Sequence, residues 1–337
     1  MASTQILDAQ EVEAYCDRLA LPQYLRYSDV TNLSEKEQLD LLTQLHAEHL
    51  RKIPFENLSL HYSRERIVDV HLPRIFEKII LSKGEGRGGY CMETNHLFNA
   101  LLRSLGFDAY LVPSRVFDQS RGRYMALTHC LNLVTIGDEQ FAVDVGFGGN
   151  VATVPLRLVR NEVQPLAGSM QARFRHDSVG SSRTRSWIYE FRHDNHAEWC
   201  AQYCFLEVEI LPEDLAVLNL GPSTSRTSFF TQKVVCLKFT CEKEFHPKFE
   251  LERRHMEVNG INGIGGRKPD VDVIDGVLIL DGGILKWRKG GVKQWEVALQ
   301  NEEQRTRALK EVFGINLSRE QREAIMGTVS ALKTGEA

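Results

Sequence analysis

The segment "GRGGYCMETNHLF" (86–98) places Cys91 behind three glycines and an arginine, at the start of what the residue pattern predicts to be a helix. A thiol attacks as its thiolate, a helix N-terminus favours that form, and glycines let backbone come close to a substrate. Such a nucleophile needs a base, and the base needs a group that orients it. "THCLNLVTI" (128–136) and "QFAVDVGF" (140–147) alternate as strands do, with "GDE" between them. A two-residue turn at Gly137-Asp138 sets Asp144 opposite Leu131 and so diagonal to His129, on one face. Diagonal neighbours lie roughly 7–8 Å apart along the backbone, a gap an imidazole and a carboxylate can close. The three residue types predict a Cys-His-Asp triad: Cys91 as nucleophile, His129 as base, Asp144 as its orienting acid. Taken singly they have plainer explanations, a structural cysteine, a satisfied core histidine and a strand-end carboxylate. Only the set points to chemistry.

Elements must hold these groups together. "SEKEQLDLLTQLHAEHLRKI" (34–53) opens with Ser34 and carries Glu37 three residues on, a capping box, and Pro54 ends the helix. After Cys91, the stripe Leu97, Phe98, Leu101, Leu102 and Leu105 repeats at helical spacing, and Gly106 supplies a stop. From about 107 to 240 the period becomes two, predicting successive strands. The stretch 160–186, rich in Arg, Ser and Gly, is expected to be a long excursion between strands. "GVLILDGGILKWR" (276–288) predicts a hairpin about Asp281-Gly282-Gly283, and "NEEQRTRALKEVFG" (301–314) a helix closed by Gly314. Helices, then strands, then a mixed end suggest compact units rather than a doubly wound sheet. The expected fold class is α+β.

Bulk properties narrow the function. With 41 basic and 45 acidic residues and a net charge of −4, the 337-residue chain has little electrostatic footprint for nucleic acid. No apolar run approaches the roughly 18 residues of a membrane span, and the N-terminus lacks the pattern of a signal peptide. Seven irregularly spaced cysteines argue for reduced thiols, and the expected location is cytoplasmic. His193, His196, Cys200 and Cys204 lack the knuckle spacing of a zinc site, so no metal is expected. "GINGIGG" (260–266) lacks the residues of a phosphate loop.

"RGGYCMETNHLF" (87–98), "IPFENL" (53–58), "THCLNLV" (128–134), "VDVGFGG" (143–149) and "STSRTSFFTQKVVC" (223–236) together resemble the arylamine N-acetyltransferases, in family order over roughly 50–240. The resemblance implies an N-terminal helical bundle (1–106) carrying the nucleophile, a β-barrel (107–225) carrying His129 and Asp144, and a C-terminal α/β lid (226–337). It implies that Glu56 pairs with Arg87 and that Asn95 supports the site by hydrogen bonding. It also implies that Thr227 and Phe230 meet coenzyme A, and that Phe55 and Phe147 line the acceptor pocket. Contacts from the loop "RYMALT" (123–128) are in question, since it departs from the family pattern.

The reaction implied is ping-pong acylation of an arylamine or arylhydrazine, with acyl-CoA as co-substrate and no permanently bound cofactor. Acetyl and malonyl donors both occur in the family, fungal members among those using malonyl-CoA. The partners expected are these small molecules, with a monomer as the default and a homodimer open. The same triad would also serve a thiol amidase or a transglutaminase-like enzyme. A catalytically silent CoA-binding homologue is the third alternative.

Overall fold

The computed structural model describes residues 6–82, 84–241 and 273–332; "GINGIGG" (260–266) lies outside them. The chain opens with helices α1 (Ala9–Leu19) and α2 (Glu35–Lys52), then a two-residue strand β1 (Phe55–Glu56), then α3 (Leu72–Phe76) and α4 (Cys91–Ser104). The capping box on α2 is present: the Ser34 hydroxyl accepts from the Glu37 N–H, and the Glu37 carboxylate from the Ser34 N–H. Helix α4 is buried along almost its whole length, from Cys91 to Leu102, so it forms the spine on which the rest is laid.

Strands β2 (Asp108–Asp118), β3 (Arg123–Ile136), β4 (Glu139–Val143), β5 (Leu156–Arg157), β6 (Gln164–Pro165), β7 (Gln171–Ser178), β8 (Arg185–Arg192) and β9 (Cys200–Phe205) follow. They form an eight-stranded sheet in spatial order β5-β4-β3-β2-β9-β8-β7-β6. A bridge between Arg160 and Phe174 ties the chain just past β5 back to β7, so the sheet nearly closes into a barrel. Its interior is aromatic and aliphatic, with Leu131, Leu133, Phe174, Tyr189, Tyr203 and Phe205 buried together.

The excursion expected at 160–186 is not one. It contains β6 and the eight-residue β7, whose "QARFRHDS" alternates Ala172 and Phe174 inward with Arg173 and Arg175 outward. Arginines on the outer face disguise a strand whose inner face is apolar. Likewise "RYMALT" is not a loop but the first half of β3.

After the barrel come α5 (Pro212–Thr224), α6 (Phe229–Gln232), β10 (Val235–Cys241), β11 (Ile274–Asp281), β12 (Ile284–Lys289), β13 (Val292–Ala298), α7 (Glu302–Phe313) and α8 (Arg319–Ala324). A second sheet runs β1-β10-β11-β12-β13, so its first strand is borrowed from the helical segment. The hairpin β11–β12 pairs Asp281 with Ile284 across Gly282-Gly283. Gly314 ends α7 at φ 75°, the left-handed cap that glycine adopts without strain.

Candidate active site

Cys91 is the first residue of α4, after Tyr90 as N-cap. The Tyr90 N–H donates to the Glu93 carboxylate at 3.2 Å, closing the turn. The glycines ahead give clearance: a Cβ on Gly88 would stand 1.8 Å from the Pro54 carbonyl oxygen, and one on Gly89 2.7 Å from Glu93 Oε2. That closeness lets the Glu56 N–H donate to the Gly89 carbonyl at 3.0 Å, clamping the approach to Cys91 against β1. The first N–H groups of a helix have no acceptor within it, so they face whatever lies beside Cys91.

His129 comes from the barrel. Strands β3 and β4 pair Asn132 with Val143 and Ile136 with Glu139, the register a two-residue turn at Gly137-Asp138 dictates. On the other side of β3, Ser114 pairs with His129 but Arg115 with Leu127. Thr128 is thus the extra residue of a β-bulge, a device that re-aims neighbouring groups. The Cys91 thiol points at the Thr128 carbonyl, 3.7 Å away. His129 Nε2 lies 2.7 Å from Asp144 Oδ2, and both side chains are 2% exposed. The Cys91 sulfur stands near enough to the same ring to act on its charge, and Nδ1 is the nitrogen that Asp144 leaves free. Burial opposes charge on His129, yet the Asp144 carboxylate and the Cys91 sulfur overcome it and raise the ring to about 10. Burial likewise pushes the Asp144 carboxyl up, but His129, Asn95 and the Gly146 N–H hold it below its ordinary value.

A sequence profile described as N-acetyltransferase matches residues 38–255, more than half of the chain. The chain belongs to that family. The N-malonyltransferase FDB2 of Gibberella moniliformis is 29% identical to it, over 94% of this chain and 91% of that one. The arylamine N-acetyltransferase / N-hydroxyarylamine O-acetyltransferase of Salmonella typhimurium is 34% identical over 60% of this chain and 62% of its own. The solved arylamine N-acetyltransferase of S. typhimurium superposes with a TM-score of 0.72 at 25% identity, covering 95% of this chain and 99% of that one. The Mycobacterium abscessus enzyme shares the fold, with a TM-score of 0.73 at 22% identity over 96% of this chain and 97% of its own. The protein is accordingly an acyltransferase.

Around the acyltransferase's Cys91 the remaining residues sort by what they touch. The Asn95 amide donates to Asp144 Oδ1 at 3.0 Å and to the Cys130 carbonyl at 2.8 Å, and its oxygen accepts from the Val145 N–H at 3.0 Å. It therefore staples helix α4 to both barrel strands. Arg87 donates through Nε to Glu56 at 3.0 Å, and the Gly88 N–H reaches the same oxygen at 3.2 Å. Phe147 packs edge-on to His129 with ring centres 5.3 Å apart. Phe55 and Phe230 face each other at 6.1 Å, and Phe230 meets the Tyr90 ring at 5.2 Å. Thr227 is exposed and bonds only to Ser225, so the structure does not bring it to the triad.

Two residues escaped the sequence reading. Tyr203, on β9, stacks on His129 at 5.3 Å and on Phe147 at 4.9 Å, and burial together with the Asp144 charge holds its hydroxyl well above its ordinary pKa. Alternation along "CAQYCF" puts Tyr203 inside the barrel, but only closure of the sheet brings β9 to the triad. His46, on α2, donates from Nε2 to the Asp144 backbone carbonyl at 3.0 Å. Burial lowers its pKa to about 4, so it fixes that carbonyl as a neutral ring. Its place on the buried face of α2 beside Leu42 and Leu45 was the available signal. Among the described residues no cluster of ligands could hold a metal, and no helix is long and apolar enough to cross a membrane.

Proposed function

We propose that this acyltransferase moves an acyl group from an acyl-CoA thioester to the amino nitrogen of an arylamine or arylhydrazine, by ping-pong, through an acyl thioester on Cys91. The Cys91 proton passes to His129, and the sulfur attacks the thioester carbonyl carbon. The bond to the CoA sulfur breaks, and CoA leaves as a thiol with the proton from His129. The neutral amine then attacks the acyl-Cys91 carbonyl, the carbon–sulfur bond breaks, and the amine proton returns through His129 to the sulfur. N–H groups of the first turn of α4 are the natural donors to the oxyanion of each tetrahedral intermediate. Asp144 holds His129 in the tautomer and orientation both half-reactions use.

The observation that carries the reading is the buried pair in which His129 Nε2 contacts Asp144 at 2.7 Å, with the Cys91 sulfur near enough to the ring to raise its pKa. A protonated ring beside a sulfur favours its nucleophilic form. In this reading residues 1–106 supply the nucleophile, 107–225 the base and acid, and 226–337 complete the cleft. Thr227 and Phe230 belong to the CoA side, Phe55 and Phe147 to the acceptor side. Mass spectrometry after mixing with acetyl-CoA, or with malonyl-CoA, should find the acyl group on the peptide containing Cys91, and an arylamine should remove it. Absence of any adduct with either donor would sink the proposal. CoA release compared across the two donors then assigns the acyl group.

A further inference from the structure

The face of β3 that meets α4 carries Cys130, Asn132 and Val134, and the two flanking residues belong to the main apolar core. Asn132 is buried among them. So are Asn95 and Asn99, one turn apart on α4. Leucines would fill the same space, and amides in an apolar interface destabilise it unless they are paired. These three are paired with one another.

The bonds run in one direction. A carboxylate only accepts, so Asn95 presents its nitrogen to Asp144, donating to Oδ1 at 3.0 Å. Its oxygen is then free to accept, from the Val145 N–H at 3.0 Å and from Asn132 Nδ2 at 3.4 Å. The same Asn132 nitrogen donates to the Asn95 backbone carbonyl at 3.1 Å, a pure acceptor that fixes the amide's orientation independently. That leaves the Asn132 oxygen to accept, and Asn99 Nδ2 donates to it at 2.9 Å. Each amide turns its nitrogen toward the next acceptor, and the last acceptor is the triad acid. Aligned hydrogen bonds in a dry interior polarise one another, so donors further back strengthen the one at the end.

Asp144 has need of such donors, because burial pushes its carboxyl up. The titratable groups around it are His129 and Cys130 on β3, Tyr189 on β8, Tyr203 on β9 and, at its backbone, His46 on α2. On α4 the nearest is Cys91, which faces His129. Of these only His129 brings positive charge. The rest of the hold on the carboxylate falls to neutral donors, the Asn95 amide and the Gly146 N–H.

We propose that Asn132 is a positioning residue of the triad, acting with Asn99 through Asn95 to keep Asp144 ionised and aimed at His129. The inference rests on the acyltransferase reading and adds to it a polarised chain of amides behind the acid. Of the three, Asn95 alone contacts a triad side chain by hydrogen bonding.

The test compares wild type with Asn132→Leu and with the double variant Asn99→Leu/Asn132→Leu. Asn132→Leu strands the Asn99 nitrogen without its acceptor and should lower the melting temperature; the second substitution removes the stranded group and should restore it. Catalysis should not recover with it. In both variants Asn95 loses its backing, Asp144 becomes easier to protonate, and the thiolate is lost on acidification at a higher pH. Alkylation of Cys91 by iodoacetamide, read by mass spectrometry on the peptide containing it, should show its acid limb about half a pH unit higher in both, the size of a weakened neutral hydrogen bond. In turnover, kcat should fall roughly three- to tenfold in both, with KM for acyl-CoA unchanged. Recovery of kcat and of the alkylation profile together with the melting temperature in the double variant would reduce the amides to packing and overturn the proposal. So would a wild-type alkylation profile in Asn132→Leu. If the profiles move as expected but no acyl-CoA is turned over, the acyltransfer reading fails and the amide chain stands.

Discussion

Two buried carboxylates stand on either side of Cys91, and the contrast between their partners separates scaffold from chemistry. Glu56 accepts from Arg87 at 3.0 Å, from the Gly88 N–H at 3.2 Å and from the Leu58 N–H at 2.5 Å. Asp144 accepts from His129 at 2.7 Å, from Asn95 at 3.0 Å and from the Gly146 N–H at 2.8 Å. Burial and the number of donors are alike. The difference is that a guanidinium keeps its proton at every accessible pH, whereas an imidazole can give one up. The first pair can only hold the glycine turn in place; the second can hold a base and let it work.

The sharpest way to break this contrast is to remove each carboxylate's charge in turn. Asp144→Asn keeps the size of the side chain but favours the wrong tautomer of His129. Acyl transfer should fall on the order of 10⁴-fold. Glu56→Gln instead leaves Arg87 buried without its counter-ion. It should cost roughly 3 kcal/mol or more of stability, read from urea unfolding, with a much smaller effect on kcat of the folded fraction. Equal losses of kcat in the two variants would erase the distinction.

Acid and alkali should act on the two pairs at opposite ends of the pH scale. Burial raises the Glu56 pKa, but Arg87 and Lys78 outweigh it and hold the group at about 2, against 4.5 for a free side chain. Its stabilisation is therefore present above pH 4.5 and lost as pH falls towards 2, roughly 3 kcal/mol in all. His129 is raised, from 6.5 to about 10. Its contribution is complete below pH 6.5 and is lost as pH rises through about 10. Melting temperatures measured across pH should thus lose their acid limb in Glu56→Gln and part of their alkaline limb in His129→Gln. A wild-type profile in both variants would show that neither pair is coupled to folding.

The legibility of these regions from sequence differed for physical reasons. The turn at Gly137-Asp138 fixes a local register, so the relation of His129 to Asp144 could be worked out from spacing alone. Helix α4 announced itself by its stripe and its closing glycine. Strand β7 did not, because its outer arginines are more conspicuous than its inner Ala172 and Phe174. Tyr203 was beyond reach for another reason. It takes its position from the pairing of β9 with β2, strands far apart in the chain, and no local pattern encodes where such strands meet.

The smallest expected effect tests the seam between the two regions. Gly146 follows Asp144 by two residues and lies against the first turns of α4. A Cβ there would stand 2.6 Å from Thr94 Oγ1, 2.7 Å from Cys91 Cα and 2.9 Å from Asn95 Nδ2. The Thr94 hydroxyl can turn aside, but a backbone Cα cannot, so the end of the barrel strand must move back from the helix. Overpacking of this kind costs about 1–3 kcal/mol. A shift of a few tenths of an ångström between nucleophile and base lowers kcat by about tenfold, since proximity contributes so steeply to rate. Gly146→Ala should therefore depress kcat and melting temperature together, unlike Asp144→Asn, which should depress kcat far more than stability. If Gly146→Ala melted and turned over like wild type, the barrel would not be held against Cys91 at this point, and Asn95 would be left as the tie that sets the distance between them.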